Sequence, residues 1–204
     1  MTDVRVINAH RNAIGLAKRM TRRACMLSAA SSLVLAAVWV IAKRANAGSL
    51  PRPEQDVPIE DFSPSGQSMG TRLMSRIIKS DAEWRRQLPN AAFIVTRHAG
   101  TERPFSGAYR NLHGEGLYRC ICCDTALFDS ATKFESGTGW PSFWQPIAKA
   151  NVVESVDQSF GMTRTAVSCR RCDAHLGHIF DDGPQPTGLR YCMNSVSLHF
   201  VSRA

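Results

Sequence analysis

The 204-residue sequence predicts a mainly β domain with a short helical region at its N-terminal side and a four-cysteine metal site. From Gly116 onward, short runs of alternating apolar and polar residues are separated by Gly, Pro, Asp and Ser, which is typical of antiparallel strands joined by turns. A helix-start motif precedes this region, and two C-x-x-C pairs lie within it. The apolar fraction of 44% is enough for a packed core.

The first 47 residues are predicted to be an export leader. An uncharged, mostly apolar run of 17 residues, 26–42, follows several basic residues, and a small-x-small cleavage site follows it at 45–47. Residues 21–27, which contain Arg22 and Arg23, resemble the twin-arginine pattern. We therefore expect a periplasmic or cell-envelope protein. The alternatives are an uncleaved anchor, since about 17 residues is the lower limit for a spanning helix, and a mitochondrial leader.

The positive charge of the chain belongs to this leader. Of the net charge of +8, residues 1–47 contribute +7, from eight basic residues and one acidic residue. The remaining residues carry 17 basic and 16 acidic side chains. The globular part therefore gives no electrostatic support for nucleic-acid binding, and a membrane contact is expected only through an uncleaved N-terminal segment.

Residues 48–70 are predicted to be a linker, because four prolines lie there among polar residues. The domain itself is expected to span residues 71–204 and to begin with a helix. Ser80 and Glu83 form a capping box, and Trp84 and Leu88 give the helix an apolar stripe. Pro89 either ends this helix or opens a second one through residues 91–95.

The strands are predicted from alternation within short segments. In the last segment, Val196, Leu198 and Phe200 share one face. The candidate strands are residues 117–120, 152–156, 162–168, 176–180, 190–194 and 196–201.

The two C-x-x-C pairs predict one structural zinc ion. They are Cys120 with Cys123 and Cys169 with Cys172, and two thiolates at this spacing can face the same tetrahedral ion. Four thiolates leave no open coordination position, so the ion is expected to be structural. Two disulfides are the alternative. Cys122 lies outside the expected coordination shell.

Residues 190–194 provide a candidate nucleophile. In a strand, Arg190, Cys192 and Asn194 lie on one face and present a guanidinium, a thiol and an amide. A nearby guanidinium favours the thiolate, which is the reactive form of cysteine. A cysteine in a strand is also common as a small buried apolar residue.

Two histidines and an aromatic turn are further candidates. His175 and His178 would face opposite sides of a regular strand, but Gly177 permits a bulge that brings both to one side. Histidine suits proton transfer near neutral pH; core histidines and zinc ligands are the alternatives. The turn at residues 137–144 includes Trp140 and Phe143, which either enclose a methyl–sulfur group or belong to the core.

Together these segments resemble the B-type methionine sulfoxide reductases, in the zinc-binding subgroup. The resemblance extends from about Thr71 to Val201. Its matching segments are residues 79–84, 100–107, 136–143, 174–180 and 188–195.

This resemblance implies two antiparallel sheets and an oxidoreductase that reduces methionine-R-sulfoxide, free or in proteins. It implies that Cys192 is the nucleophile and passes through a sulfenic acid that a thioredoxin-like dithiol reduces. The other residues that it implicates in catalysis or substrate binding are His175, His178, Asn194, Arg190, Trp140, Phe143 and Asp182.

One departure from the family pattern changes the expected recycling of Cys192. Many members carry a cysteine where this chain has Thr138, so the usual internal resolving thiol is missing and direct external reduction is expected. Two other functions are compatible with part of the pattern. A non-enzymatic zinc-ribbon-like binding module needs only the four-cysteine site, and a thiol peroxidase needs only an activated Cys192.

Overall fold

The computed structural model describes residues 56–203. The predicted leader, residues 1–47, and the first residues of the predicted linker lie outside this range. Between residues 56 and 203, neither α-helix has the length and apolar character needed to cross a membrane.

The described chain begins with a β-hairpin formed by β1 (Asp56–Phe62) and β2 (Ser68–Ser75). Ile59 and Phe62 are buried, and the side chain of the buried Asn151 bonds the backbone N–H and C=O of Glu60, each at 2.8 Å. The prediction of a linker through residue 70 is therefore wrong for residues 56–70. The apolar residues of β1 form a buried face. The prolines around them are typical of a linker and led to the wrong prediction.

Two short helices follow, α1 (Asp81–Gln87) and α2 (Asn90–His98). The predicted capping box is confirmed, since the backbone N–H of Ser80 donates to the Glu83 carboxylate at 2.8 Å and the Ser80 hydroxyl accepts from the Glu83 N–H. Trp84 is fully buried. Pro89 is the N-cap of α2, so it opens the second helix.

The remaining strands form two larger antiparallel sheets. One has three strands in the order β11-β3-β4, and the other has six in the order β5-β6-β10-β9-β8-β7. The strand bounds are β3 (Gly116–Cys120), β4 (Ala126–Asp129), β5 (Lys133–Phe134), β6 (Ser142–Phe143), β7 (Val152–Asp157), β8 (Arg164–Cys169), β9 (His175–Phe180), β10 (Arg190–Met193) and β11 (Leu198–Ser202). Short 3-10 turns occupy Ser130–Thr132, Lys149–Asn151, Ser159–Gly161 and Ser195–Ser197.

An aromatic cluster joins the two larger sheets. Phe143 of β6 stacks on Phe128 of β4 with ring centroids 4.5 Å apart, and Tyr118 of β3 meets Phe143 edge-on at 5.0 Å. All three side chains are fully buried, and burial of each apolar ring contributes about 1.5–3 kcal/mol. The predicted class, a mainly β domain with helices at its N-terminal side, is confirmed. The β1–β2 hairpin adds a third sheet to the two that were expected.

Candidate functional site

The four cysteines of the C-x-x-C pairs converge on one point. Their Sγ atoms all lie within 4.8 Å of one another; Cys120 and Cys172 are 3.6 Å apart, and Cys123 and Cys169 are 3.5 Å apart. Thiolates that each lie ~2.3 Å from a tetrahedral zinc ion are separated by nearly this distance, whereas a disulfide brings sulfurs to ~2.05 Å. The donor set therefore fits a zinc ion, and the cysteines are free thiols rather than two disulfides.

Each pair sits on the same kind of tight turn. Asp124 and Asp173 follow the second cysteine of each pair with φ values of 62° and 56°, a left-handed conformation that aspartate tolerates. Their backbone N–H groups donate to the C=O of Cys120 and of Cys169, both at 2.9 Å. The first turn follows β3 and the second follows β8, so the four-cysteine cluster connects the two larger sheets.

Cys192 lies in a separate cavity on β10. Its partners across the sheet are His178 on β9 and Ser142 on β6, and its Sγ is 4.0 Å from the Thr138 hydroxyl. The cavity has a volume of about 110 Å³. Its lining residues are Thr101, Trp140, Arg164, Gly177, His178, Phe180, Cys192, Met193 and Asn194.

The electrostatic setting of Cys192 differs from the simple expectation. Burial raises the pKa of the Cys192 thiol, and Arg190 opposes this rise without overcoming it. The predicted influence of Arg190 thus has the expected sign but is the smaller effect, because strand pairing on both sides of β10 desolvates the thiol.

Arg190 is held by Asp182. The guanidinium donates to both carboxylate oxygens of Asp182, at 2.8 and 2.9 Å, and it lies 4.3 Å from the centroid of the Phe180 ring. These hydrogen bonds from Arg190 lower the pKa of Asp182. Asp182 was expected to bind substrate, but its side chain is 61% exposed and does not line the Cys192 cavity. It contacts Arg190 instead.

The predicted bulge brings the two histidines together. The register between β8 and β9 shifts at Val167 and Ser168, and the ring centroids of His175 and His178 are 5.2 Å apart. His178 Nε2 lies 2.8 Å from an Asp157 carboxylate oxygen. Hydrogen bonds from Ser159, His178 and Arg164 hold the pKa of that carboxyl well below its usual range, so Asp157 is a permanent negative charge beside the ring.

His175 has a different environment. It lines a second cavity, of about 510 Å³, which also reaches His178 but does not include Cys192. Burial is the main cause that lowers the pKa of His175 to about 4, and its Nε2 has no hydrogen-bond partner among the described residues. His175 is therefore uncharged at neutral pH.

Hydrogen bonds join Glu102 to Asn194 and to the turn after β10. The Asn194 side chain accepts from the Glu102 N–H at 2.9 Å and donates to the Leu176 C=O at 3.0 Å. The Glu102 carboxylate accepts from the backbone N–H groups of Ser195 at 2.7 Å and Val196 at 3.1 Å. Glu102 therefore joins its loop to the turn that follows β10.

The two predicted aromatic walls have different positions. Trp140 lines the cavity, and its indole N–H donates to the Glu102 C=O at 3.1 Å. Phe143 does not line it, because Phe143 pairs with Tyr191 across the sheet while Ser142 pairs with Cys192. Successive strand residues face opposite sides, so Phe143 points into the core. The predicted contact between Phe143 and substrate is corrected accordingly.

Sequence reasoning did not select four residues that shape the site. Thr101, Arg164 and Phe180 line the cavity, and Glu102 anchors Trp140 and Asn194. Thr101 and Glu102 belong to the matching segment at residues 100–107, and Phe180 ends the segment at 174–180, so the motif was present although its roles were not assigned. Arg164 carried no such signal.

Comparison with known proteins identifies the family of the chain. The SelR domain family matches residues 88–202 of the chain. A protein named peptide methionine sulfoxide reductase MsrB from Herminiimonas arsenicoxydans is 56% identical over 128 residues, covering 63% of this chain and 93% of that relative. Proteins of the same name from Hahella chejuensis and Pseudomonas entomophila are 55% and 57% identical, covering 93% and 99% of their own lengths and 63% and 64% of this chain. The chain therefore belongs to the B-type methionine sulfoxide reductase family.

Proposed function

We propose that this chain reduces methionine-R-sulfoxide to methionine, with Cys192 as the nucleophile. The observation that carries the proposal is the cavity in which Cys192 lies beside His178 and Trp140. Of the cysteines between residues 56 and 203, four form the metal cluster and Cys122 is buried. Cys192 is thus the thiol that a substrate in this cavity meets.

The reaction transfers oxygen from one sulfur to another. The Cys192 thiolate attacks the sulfoxide sulfur and forms a transient sulfur–sulfur bond while the substrate oxygen takes up a proton. That sulfur–sulfur bond and the sulfur–oxygen bond of the substrate then break, and a sulfur–oxygen bond forms on Cys192, which becomes a sulfenic acid. Two electrons pass from Cys192 to the substrate, which leaves as a thioether. Protonation of the sulfoxide oxygen makes this transfer easier because the oxygen otherwise departs with negative charge.

His178 is the better placed proton donor of the two histidines. It lines the cavity that contains Cys192, and its Nε2 lies 2.8 Å from a carboxylate oxygen of Asp157. His175 is uncharged at neutral pH and packs against His178, so we assign it a supporting role. Asn194 has its amide oxygen and nitrogen bound to backbone groups, and we assign it the role of fixing β9 and the loop at Glu102 beside the cavity.

Recycling of Cys192 requires an external reductant. Thr138 occupies the position where the resemblance places an internal resolving cysteine, and a hydroxyl cannot form a disulfide. Cys122 is buried beside the metal cluster. We propose that a thioredoxin-like dithiol attacks the sulfenic acid, so that two thiols become one disulfide, Cys192 returns to a thiol and one water leaves.

The position of Thr138 beside Cys192 allows a direct test of this route. Mass spectrometry after one turnover without reductant should find Cys192 oxidised and unbridged in the wild type. In the variant Thr138→Cys, the new sulfur replaces a hydroxyl that lies 4.0 Å from Cys192 Sγ, and one turnover should produce a disulfide between positions 138 and 192. A disulfide between Cys122 and Cys192 in the wild type would overturn the route.

We further propose that Cys120, Cys123, Cys169 and Cys172 hold one structural zinc ion. Four thiolates fill a tetrahedral shell, so the ion stabilises the scaffold. Export to the periplasm or cell envelope is likewise a proposal, which rests on the sequence of residues 1–47, and the expected role there is repair of oxidised methionines.

Turnover assays on both sulfoxide epimers test the proposed function. With excess dithiothreitol, the wild type should reduce the R epimer and leave the S epimer, whereas Cys192→Ser should be inactive. Cys122→Ser is the matched control and should retain activity. R-sulfoxide reduction by Cys192→Ser at the wild-type rate would refute the role of Cys192, and a zinc-loaded wild type without any sulfoxide turnover would favour the non-enzymatic zinc module. Faster turnover of peroxide than of sulfoxide would favour the thiol peroxidase.

A further inference from the structure

The β1–β2 hairpin is held against the cysteine cluster. It lies outside the residues that match the SelR family, 88–202, so the family match does not account for it. The Ile77 N–H, just after β2, donates to the C=O of Arg171 at 2.8 Å, and Arg171 lies inside the second C-x-x-C pair. Arg76 forms an ion pair with Asp173, which follows that pair. The hairpin is therefore bound to one of the two turns that carry the clustered cysteines.

A cavity of about 220 Å³ lies between the hairpin and the cluster. Ile59 and Met74 line it from the hairpin, and Cys123 lines it from the cluster. Of the four clustered cysteines, three are buried and Cys123 is partly exposed. The volume is below the ~300–1,000 Å³ of pockets that enclose a whole ligand, but it admits small solutes, since one water takes up ~30 Å³. Cys123 is therefore the cluster thiolate that a small solute meets in this cavity.

Met74 brings a second oxidisable sulfur to this cavity. Successive strand residues face opposite sides, and in β2 Leu73 is 72% exposed whereas Met74 is half-buried. Met74 lines the cavity together with the buried Ile59, so its side chain lies on the inner face of the hairpin. Met69, at the other end of β2, is 62% exposed and does not line the cavity. Of these two methionines, only Met74 shares a cavity with Cys123.

A thioether in this position can intercept oxidants. Methionine is oxidised to its sulfoxide, and thiolates are oxidised to sulfenic acids or disulfides. Hypochlorous acid oxidises both groups. With a thioether it gives a sulfoxide, chloride and a proton: a sulfur–oxygen bond forms, the oxygen–chlorine bond breaks, and two electrons pass from sulfur to chlorine. Oxidation of Cys123 instead removes a thiolate ligand from the cluster, and metal binding requires the ligands in their thiolate form.

We propose that Met74 is an oxidation site that protects Cys123, and with it the metal cluster, from hypohalous acids. An oxidant molecule in the cavity meets the Met74 thioether on the hairpin side and is consumed there, which leaves the cysteine intact. Because Met74 is half-buried, water can solvate the sulfoxide that forms. The effect on metal retention rests on the proposed zinc ion, whereas the protection of the Cys123 thiol does not.

The experiment exposes the full-length, zinc-loaded protein to about one molar equivalent of hypochlorous acid in the absence of dithiol. Peptide mass spectrometry measures the sulfoxide at Met74 and the oxidation of Cys123, and a colorimetric chelator measures released zinc. In the wild type, the sulfoxide at Met74 should exceed the oxidised fraction of Cys123. Met74→Leu conserves the side-chain volume and should release on the order of twofold more zinc, because the oxidant then reaches the thiolate.

Met69→Leu is the control, since it removes the same thioether from the same strand but away from the cavity. It should release as much zinc as the wild type. Equal zinc release from Met74→Leu and Met69→Leu, or oxidation of Cys123 ahead of Met74 in the wild type, would overturn the proposal. Elemental analysis before the oxidant is added tests the zinc ion separately. A folded protein without zinc would refute the proposed metal, and the extent of Cys123 oxidation in the two variants would still decide the role of Met74.

Discussion

The carboxylate of Glu102 provides the sharpest test of how the site is held together. It accepts two backbone hydrogen bonds, from Ser195 at 2.7 Å and Val196 at 3.1 Å, and bonds of this charge-assisted kind contribute about 1.5–3 kcal/mol each. In Glu102→Gln one oxygen remains as a neutral acceptor, while the other becomes an NH₂ group that faces a donor. We expect the free energy of unfolding to fall by about 2 kcal/mol. This is less than the sum of two such bonds, because Glu102 is half-buried and water can replace part of the lost interaction.

Thermal unfolding measures this loss. For a domain of this size about 2 kcal/mol corresponds to a fall in Tm of about 4–8 °C. The same variant should lower kcat/KM for the R-sulfoxide by about tenfold, since Trp140 and Asn194 are bonded to the Glu102 backbone and small displacements of positioning groups reduce rates strongly.

Glu115→Gln is the matched control for this substitution. The Glu115 side chain is exposed and makes no hydrogen bond or ion pair to the rest of residues 56–203, so the change should alter neither Tm nor activity. If Glu102→Gln and Glu115→Gln unfold at the same temperature, the Glu102 carboxylate does not fasten the turn after β10 and the reasoning fails.

Three further predictions concern the metal centre, the core and pH. Cys123→Ser should bind no zinc by elemental analysis and should lose most of the circular-dichroism signal of the folded protein. The reason is that structural zinc contributes ~10–16 kcal/mol, whereas a domain is stable by only ~5–15 kcal/mol. A thermal unfolding curve like that of the wild type would refute this. Phe143→Leu should lower the free energy of unfolding in urea by about 1–3 kcal/mol and leave KM unchanged. Trp140→Leu, in contrast, should raise KM. A raised KM in Phe143→Leu would mean that the Phe143 ring contacts the substrate. Because the pKa of His175 is lowered from 6.5 to about 4, burial of its neutral form stabilises the fold fully above about pH 6.5, and up to about 3 kcal/mol should be lost as pH falls towards 4. His175→Gln should remove this loss in urea titrations, while the exposed His113→Gln should retain it.

The parts of the fold that depend on local chemistry were predictable from the sequence. The capping box at Ser80 and Glu83 is satisfied by groups three residues apart. The two C-x-x-C turns likewise bring their own thiols to one side, and both pairs meet at one point. The bulge at Gly177 was predicted because glycine permits one. The structure adds the reason for glycine at this position, since a Cβ would lie 2.1 Å from the Cys192 C=O.

The parts of the fold and the site that depend on distant partners were not predictable from the sequence. The orientation of Phe143 follows from its register with β10, since only the pairing of Ser142 with Cys192 decides which residue of β6 faces the cavity. Glu102 bonds groups 93 and 94 residues away, and nothing near it in the sequence indicates those partners. The hairpin at residues 56–75 was missed because its stabilising contact, Asn151, lies 91 residues from Glu60.

The strand order of the six-stranded sheet has a consequence for how the molecule is assembled. β10 lies between β6 and β9, although the ribosome produces it after both. Until residue 193 has emerged, the facing edges of β6 and β9 have no neighbour, and open edges of this kind are prone to pair with other chains. Insertion of β10 closes both edges in one step and at the same moment gives Cys192 its surroundings. A nascent or truncated chain without β10 therefore lacks the Cys192 cavity, which forms only when the sheet is complete.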